Sequence, residues 1–585
     1  MVLSSRYLGE LIMEINDDFK NNTSVAYISM EIGLDSNIPT YSGGLGVLSG
    51  DTVRSAADLE IPMVAICLCY SSGYFFQLFN EMGEQKEKEV EWNFFYEFDK
   101  VEKPIKVFIE NKEVLVSAWL YRIIGQSGHI LPIYLLTTDV EGNEEWMKKM
   151  TGSLYDSTSR WNRIVQEMIL GIGGVKLLSS LGYNNIQTYH LNEGHGSFAT
   201  VELYNMFGKN LEKVKEKVVF TTHTPVPAGH DRFDQNLVDK VFASRMPNEI
   251  RKIAEDNGSF NMTFLGMGLS RYRNAVAKRH GVITRKMFPQ YEIDYITNGI
   301  HLPYWVSKPI KQIFDRKWPN WKSKPSVLEN AIEIDDLDLF DAHIENKFNL
   351  INYQKGHSWN LLDEELITIG FARRFATYKR AILIFHDIDR LGKISQGKIQ
   401  FIFAGKAHPK DLMGKEYIKK IYESGTYLYE NYGVKVVLME NYNMDLAHML
   451  VSGVDIWLNT PERYYEASGT SGMKAALNGV LNFSVQDGWW LEAYRRNPTA
   501  GWAIGPNDSD PNDPGVSNDW DIDSNAIYTT LEDEIIPTYM NHDEWLFKCK
   551  NAISLAALFN THRMIDEYSK KAYNLVKQKP WKFKK

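Results

Sequence analysis

The chain has 585 residues, 44% hydrophobic and 24% charged, with a formal net charge of −9. That apolar content builds extensive cores and excludes a wholly disordered or fibrous chain, while the acidic balance argues against a nucleic-acid or anionic-membrane protein. The three cysteines, Cys67, Cys69 and Cys549, offer no C-x-x-C pair; a disulfide framework is excluded and a reducing cytosol fits.

Arg6, Glu10, Glu14, Asp17 and Asp18 interrupt the N-terminal stretch, so no apolar core of secretory-leader type survives there. No run of about eighteen apolar residues occurs, and no membrane span is expected. The expectation is a soluble, cytoplasmic protein.

In chain order, β-rich runs fall at 25–30, 63–70, 130–138, 188–193, 218–225 and 293–299, then at 366–374, 399–406, 434–442, 454–460 and 480–485. Near-continuous apolar strands alternating with helical periods predict an α/β fold with parallel sheets covered on both faces. Many strands run directly into polar or Gly-containing loops, and ligands of open α/β sheets bind outside the carboxyl ends of strands. The stretch 307–345 lacks strand character. It predicts two domains, 1–325 and 340–540, with a helical segment at 541–585 that could pack back on the first. The acidic loop at 505–521 does not match EF-hand spacing and reads as a solvated turn.

The sharpest segment runs from Glu466 to Lys474, EASGTSGMK. Two glycines and small hydroxyl residues ahead of a helix leave N–H groups for an anion, and Lys474 just inside that helix could be desolvated to form a Schiff base. A capped helix with a surface lysine is the alternative. Arg373, Arg374, Lys379 and Arg380 follow a buried-type strand and suggest a small anion such as phosphate; a solvated basic helix start is the alternative. Lys406 ends another strand. Gly43, Gly44 and Gly46 allow close backbone approach to a ligand phosphate, or form a plain turn. His195, His223, His230 and His301 show no H-E-x-x-H spacing, so no metal is expected. Walker, G-x-S-x-G and paired-carboxylate glycosidase signatures are missing from the sequence.

AYISMEIGLDSNIPTYSGGLGVLSGD, HLNEGH, FTTHTPVPAGH, ITNGIH, GFARRFATYKR, FAGKAHP, ENYNMDLA and EASGTSGMKAALNG occur in one order over roughly residues 25–505. Together they resemble the α-glucan phosphorylases (the glycogen, starch and maltodextrin phosphorylase family), most closely the shorter bacterial and archaeal members. The first motif starts close to the N-terminus, and no segment of the kind that carries phosphorylation control in animal members is expected.

The resemblance implies a GT-B fold of two Rossmann-like domains with the active site between them. It implies pyridoxal 5′-phosphate on Lys474 and phosphorolysis of α-1,4-glucan by inorganic phosphate to α-D-glucose 1-phosphate, with retention, the cofactor phosphate relaying a proton. It further implies roles for single residues. Arg374 and Lys379 match ligands of the substrate and cofactor phosphates, and Arg373 matches a second neutralising cation. The Gly43–Gly44 turn faces the substrate phosphate. Ser468, Gly469 and Thr470 touch glucose and cofactor, and Glu466 bonds glucose hydroxyls. His223 and Asn298 bond the 6-hydroxyl, with the His223 carbonyl facing the cationic transition state. Glu193 and His195 line the acceptor side, and Tyr378 packs near the cofactor or the glucose. Members are often homodimers. Two departures stand out: Asn443 replaces an arginine of the long forms, and Glu462-Arg463-Tyr464-Tyr465 replaces a more apolar lead-in. A nucleotide-sugar glucosyltransferase of the same fold and a non-catalytic glucan-binding protein are the rival readings.

Overall fold

A computed structural model describes residues 15–90, 92, 98–155, 159–356, 361–506 and 518–575. The N-terminal stretch at 1–14 and most of the acidic loop lie outside the described residues.

Two sheets carry the fold. The first is ten-stranded, and eight of its strands are named here. They are β1 (Val25–Ser29), β2 (Met63–Leu68), β3 (Lys112–Ile124), β4 (Ile130–Thr137), β5 (Thr188–Asn192), β6 (Val218–Thr221), β7 (Tyr272–Ala275) and β8 (Asp294–Tyr295). Their order is β8-β7-β6-β5-β1-β2-β4-β3, parallel from β8 through β4. Beyond β4 the sheet is antiparallel, through β3 and two short strands that pair with it. That flank departs from the parallel reading: β3 alternates buried and part-exposed residues, the mark of a strand wet on one face.

The second sheet has β9 (Ile367–Ala372), β10 (Ile399–Ala404), β11 (Val436–Met439), β12 (Ile456–Asn459), β13 (Leu481–Val485) and β14 (Gly501–Ile504), ordered β11-β10-β9-β12-β13-β14 and parallel throughout. Every residue of β1, β2, β9 and β10 is buried, which explains their unbroken apolar runs. Strand order reverses between β5 and β1 in one sheet and between β9 and β12 in the other. Crevices at such reversals receive ligands.

The helices used below are α1 (Gly44–Asp58), α2 (Lys278–Met287), α3 (Asp336–Lys355), α4 (Met444–Gly453), α5 (Thr470–Leu477), α6 (Trp520–Thr530), α7 (His542–Ser554) and α8 (Thr561–Lys571). Two hydrophobic cores accompany the sheets, one formed by residues up to Ile296 and the other starting at Ile300. The chain end serves both. Helix α7 packs in the second core, whereas Met564, Ile565 and Tyr568 of α8 return to the first. There the Tyr568 hydroxyl bonds Thr221 and Asn274, and the Tyr573 hydroxyl meets His190 Nδ1 at 2.7 Å. No described helix is long and apolar enough to cross a membrane.

Candidate active site

The candidate residues stand at the carboxyl ends of strands in both sheets and at the start of α1. Glycines bring α1 against the segment that follows β1: a Cβ on Gly46 would lie 2.6 Å from Tyr41 Cβ, and one on Gly50 would lie 2.0 Å from the Gly33 carbonyl. These positions are close-packed and must be glycine. Gly43 and Gly44 differ, because a Cβ there meets nothing within 4 Å. Among the described residues the turn therefore faces open space, with Gly43 N–H donating to Glu31 Oε2 at 3.2 Å and Ser42 N–H at 2.5 Å.

On the second sheet, Arg373 leaves β9 and bonds the Asn459 amide oxygen at the end of β12, across the strand-order reversal. Arg373 Nη1 and Lys379 Nζ converge on Glu466 Oε2 at 2.8 and 2.7 Å. Burial alone would raise the Glu466 carboxyl, but the two cations outweigh it and hold it at about 2. Lys379 also lies over the Tyr378 ring at 4.5 Å. Beneath, Asp487 accepts the Glu466 backbone N–H at 2.9 Å. Burial pushes its carboxyl up to about 7, against the N–H groups of Glu466 and Gly488. Gly469 holds φ +88° ahead of α5, a left-handed turn that favours glycine. Ser468 Oγ and Arg373 Nε are buried without a hydrogen-bond partner. Thr470 opens the helix half-buried.

Lys474 is buried, with its amine 3.7 Å from the Trp305 ring centre. Burial, opposed by Asp51 and reinforced by Arg54, brings it down to about 8. Asp51 accepts Trp305 Nε1 at 2.8 Å and lies 3.9 Å from Arg54 Nη1. His448 stacks on the Trp305 ring, with centroids 4.4 Å apart. Sequence reasoning missed Asp51, Arg54, Trp305 and His448 as neighbours of the lysine. They come from α1, the segment after β8 and α4, and no local pattern joins them.

On the first sheet, Glu193 follows β5 at φ +76°, a strained value for a glutamate. Its carboxylate accepts His223 N–H at 2.7 Å and the Thr224 hydroxyl at 3.0 Å, fixing the loop after β6. His223 Nε2 donates to Asn192 Oδ1 at 2.7 Å, and Asn192 Nδ2 donates to Ser29 and Ser49. Burial, with His280 nearby, brings His223 down to about 3, so the ring is uncharged at neutral pH. Asn298 Oδ1 is buried without a partner, while its carbonyl accepts Arg563 Nη2 at 2.9 Å.

Some expected residues stand apart. His195 faces Asp231 at 3.6 Å and the Tyr155 ring, rather than joining the Glu193 bonds. Arg374 is exposed, its charge acting on Tyr74 and His408. Lys406 Nζ donates to the Phe75 carbonyl at 2.8 Å. The two departures gain physical reasons. Asn443 caps α4, its Oδ1 accepting Leu446 N–H at 2.9 Å. Arg463 is buried and forks onto Asp523 of α6 at 2.8 and 2.9 Å, where Arg380 also binds at 2.8 Å. The lead-in is therefore anchored by a buried ion triad rather than by apolar packing. His301 and His562 both donate Nε2 to Asp58 Oδ2, at 2.9 and 3.3 Å, a grouping with metal-ligand types that also joins α1 to α8.

A family model described as carbohydrate phosphorylase matches residues 230–497. A maltodextrin phosphorylase of Thermococcus litoralis is 39% identical over 94% of this chain and 70% of its own length. A glycogen phosphorylase of Aquifex aeolicus is 33% identical over 94% of this chain and 86% of its own length. An uncharacterized protein of Methanocaldococcus jannaschii is 32% identical over 94% of this chain and 99% of its own length.

Proposed function

The chain belongs to the carbohydrate phosphorylase family, and on that premise we propose that it releases α-D-glucose 1-phosphate from the non-reducing end of α-1,4-glucan, with retention. Inorganic phosphate is the acceptor, and pyridoxal 5′-phosphate is held by the Lys474 amine. The observation that carries this reading is a desolvated lysine one helical turn after a glycine turn whose buried carboxylate already holds two cations.

The residues fit the cofactor. Lys474 at about 8 keeps a useful neutral fraction near pH 7.5, as an amine that bonds an aldehyde must. Ser468 Oγ, Arg373 Nε and Asn298 Oδ1 are buried polar atoms without partners, and native interiors seldom leave such atoms unmet. When bound, the cofactor supplies a phosphate group that exchanges a proton with inorganic phosphate.

The chain's own residues do the rest. Two phosphates side by side repel strongly unless cations and N–H dipoles surround them. Arg373 and Lys379 supply fixed charge, and the Gly43–Gly44 turn, whose Gly43 N–H is held by Glu31, opens α1 with its first N–H groups. Glu466, held ionised, accepts sugar hydroxyls. Asn298 offers its side-chain amide oxygen, Oδ1, to a hydroxyl donor. His223 is fixed through its ring by Asn192 and through its N–H by Glu193, so its carbonyl is held in one orientation for a developing positive charge. Arg374, exposed at the end of β9, reaches incoming phosphate. Gly469, Thr470 and Tyr378 shape the turn, while Glu193 and His195 border the acceptor side. The two domains, 1–325 and 340–540, close this site between them. A cytoplasmic location and assembly as a homodimer complete the reading.

The test is glucose 1-phosphate release from maltoheptaose, with and without inorganic phosphate, on protein saturated with pyridoxal 5′-phosphate. Phosphate-dependent release is expected. Release that needs a nucleotide sugar instead, or full activity of Lys474→Ala, overturns it.

A further inference from the structure

A second cavity, of about 540 Å³, opens at the far end of the lysine helix. That volume is within the range of small-molecule sites, roughly 300–1,000 Å³. Its walls are α3, α7 and the end of the short helix Ile536–Met540, and Asn478 and Gly479 after α5 form one side. The rings come in two pairs: Tyr539 and Trp545 meet edge to face at 4.9 Å, and Phe340 and His542 lie 5.7 Å apart. Leu339, Ile344 and Leu546 fill the rest with aliphatic surface. Such walls suit a flat aromatic body. They do not offer the dense donors and acceptors that a glucan needs.

Charge narrows the occupant further. The floor is Asp455, which accepts Lys347 Nζ at 2.7 Å, Thr368 N–H at 2.7 Å and His343 Nε2 at 2.8 Å. Lys347 is buried and also donates to the Leu366 carbonyl, so its charge is met within the protein. At the rim stand Glu364 and Glu365, both exposed, and neither forms an ion pair with a described residue. The cavity thus has aromatic walls, a compensated floor and a rim of two unmatched negative charges. We propose that it binds a flat aromatic ligand carrying a cationic amine, with the ring between the aromatic pairs and the amine toward Glu364 and Glu365.

The position of the cavity gives that ligand a route to the site. Asn478 is one of its lining residues and a three-way tie: Nδ2 donates to the Lys474 carbonyl at 2.9 Å and to the Trp305 carbonyl at 3.0 Å, and Oδ1 accepts Ser307 N–H at 2.8 Å. Trp305 is the ring against the Lys474 amine. A ligand packed on Asn478 and Gly479 therefore bears on the residue that sets the lysine helix against that ring. This second step, unlike the binding itself, rests on the cofactor reading above.

The probe is tryptamine, with indole-3-acetate as its anionic counterpart, titrated by calorimetry into the full-length protein. Tryptamine is expected to bind at least tenfold more tightly than indole-3-acetate, and the double variant E364K/E365K to lose that binding tenfold or more. Both glutamates are exposed, and the unfolding midpoint of the variant verifies its fold. No tryptamine binding, equal binding of the two indoles, or undiminished binding to E364K/E365K would each overturn the site. For the coupling, the rate at which apo-protein takes up pyridoxal 5′-phosphate is followed by absorbance, with and without saturating tryptamine in its N,N-dimethyl form, a tertiary amine that cannot condense with the aldehyde. A twofold or larger change that E364K/E365K abolishes supports it. An unchanged rate with tryptamine bound removes the coupling and leaves the site; failure of uptake in both conditions, with tryptamine still bound, indicts the cofactor reading alone.

Discussion

The two sheet ends to which the proposed function assigns the site are built on opposite electrostatic plans. The second-sheet side is charged: Arg373, Lys379 and Glu466 interact at 2.7–2.8 Å, and Arg380 and Arg463 share buried Asp523 just behind. The first-sheet side is a lattice of hydrogen bonds in which histidines are kept neutral. Burial brings His190, His195 and His223 to about 3 and His280 to about 4. Fixed charge is suited to anionic phosphate groups, and uncharged donors and acceptors are suited to sugar hydroxyls. The contrast divides the proposed chemistry between the halves, and each half can be tested by its own perturbation.

The largest effect is expected at Lys474. Lys474→Ala should lose cofactor incorporation, read as the absence of bound pyridoxal absorbance, and glucose 1-phosphate release with it. In the unsubstituted apo-protein, uptake should rise with pH to a midpoint near 8, following the neutral amine; a midpoint near the ordinary lysine value would show that Lys474 is not desolvated.

Breaking the charged plan one step back should unfold rather than inactivate. Arg463→Met leaves Asp523 with Arg380 alone in a buried setting, and removing one partner of such a group costs about 3–5 kcal/mol. A denaturant midpoint unchanged from the parent would contradict the triad's role. Lys379→Ala likewise leaves buried Glu466 with one cation, Arg373, so it should also lower stability, and at a temperature where the variant stays folded it should lower kcat by about 10²–10³, the typical effect of removing one preorganised electrostatic contact to a transition state. Steady-state rates at saturating phosphate measure it.

The neutral plan predicts acid sensitivity. A histidine whose folded pKa lies below its unfolded value near 6.5 binds fewer protons when folded. Its contribution is complete above about pH 6.5 and is lost as pH falls toward 3–4. Stability should therefore decline steeply from pH 6.5 to 4.5, and thermal unfolding at stepped pH should show it. A flat profile over that window would mean that these rings are not held neutral. The smallest effect belongs to Asn443. If it is a helix cap and no phosphate ligand, Asn443→Ala should cost about 1 kcal/mol of stability and leave KM for phosphate within twofold.

Much of this was written in the sequence. The unbroken apolar runs of β1, β2, β9 and β10 encode strands buried on both faces, and EASGTSGMK encodes a glycine turn opening a helix with a lysine inside it. Eight motifs in order pointed to the family. The antiparallel flank around β3 was not legible, since its alternating pattern is weak beside the fully apolar strands. Nor could the sequence show that Asn443 had become a cap and Arg463 a buried anchor. In each case the residue type is compatible with several environments, and its partner lies in another part of the chain.

The sequence alone determined which segments pack on both faces, because side-chain period and hydrophobicity are local properties. It also determined which residue types stand at strand ends. Only the tertiary structure decided how they combine. Asp51, Trp305 and His448 surround Lys474 from three distant segments, and two cations share one glutamate. The physical reason is that desolvation and Coulomb terms depend on distances between residues far apart in the chain, and the fold alone sets those distances.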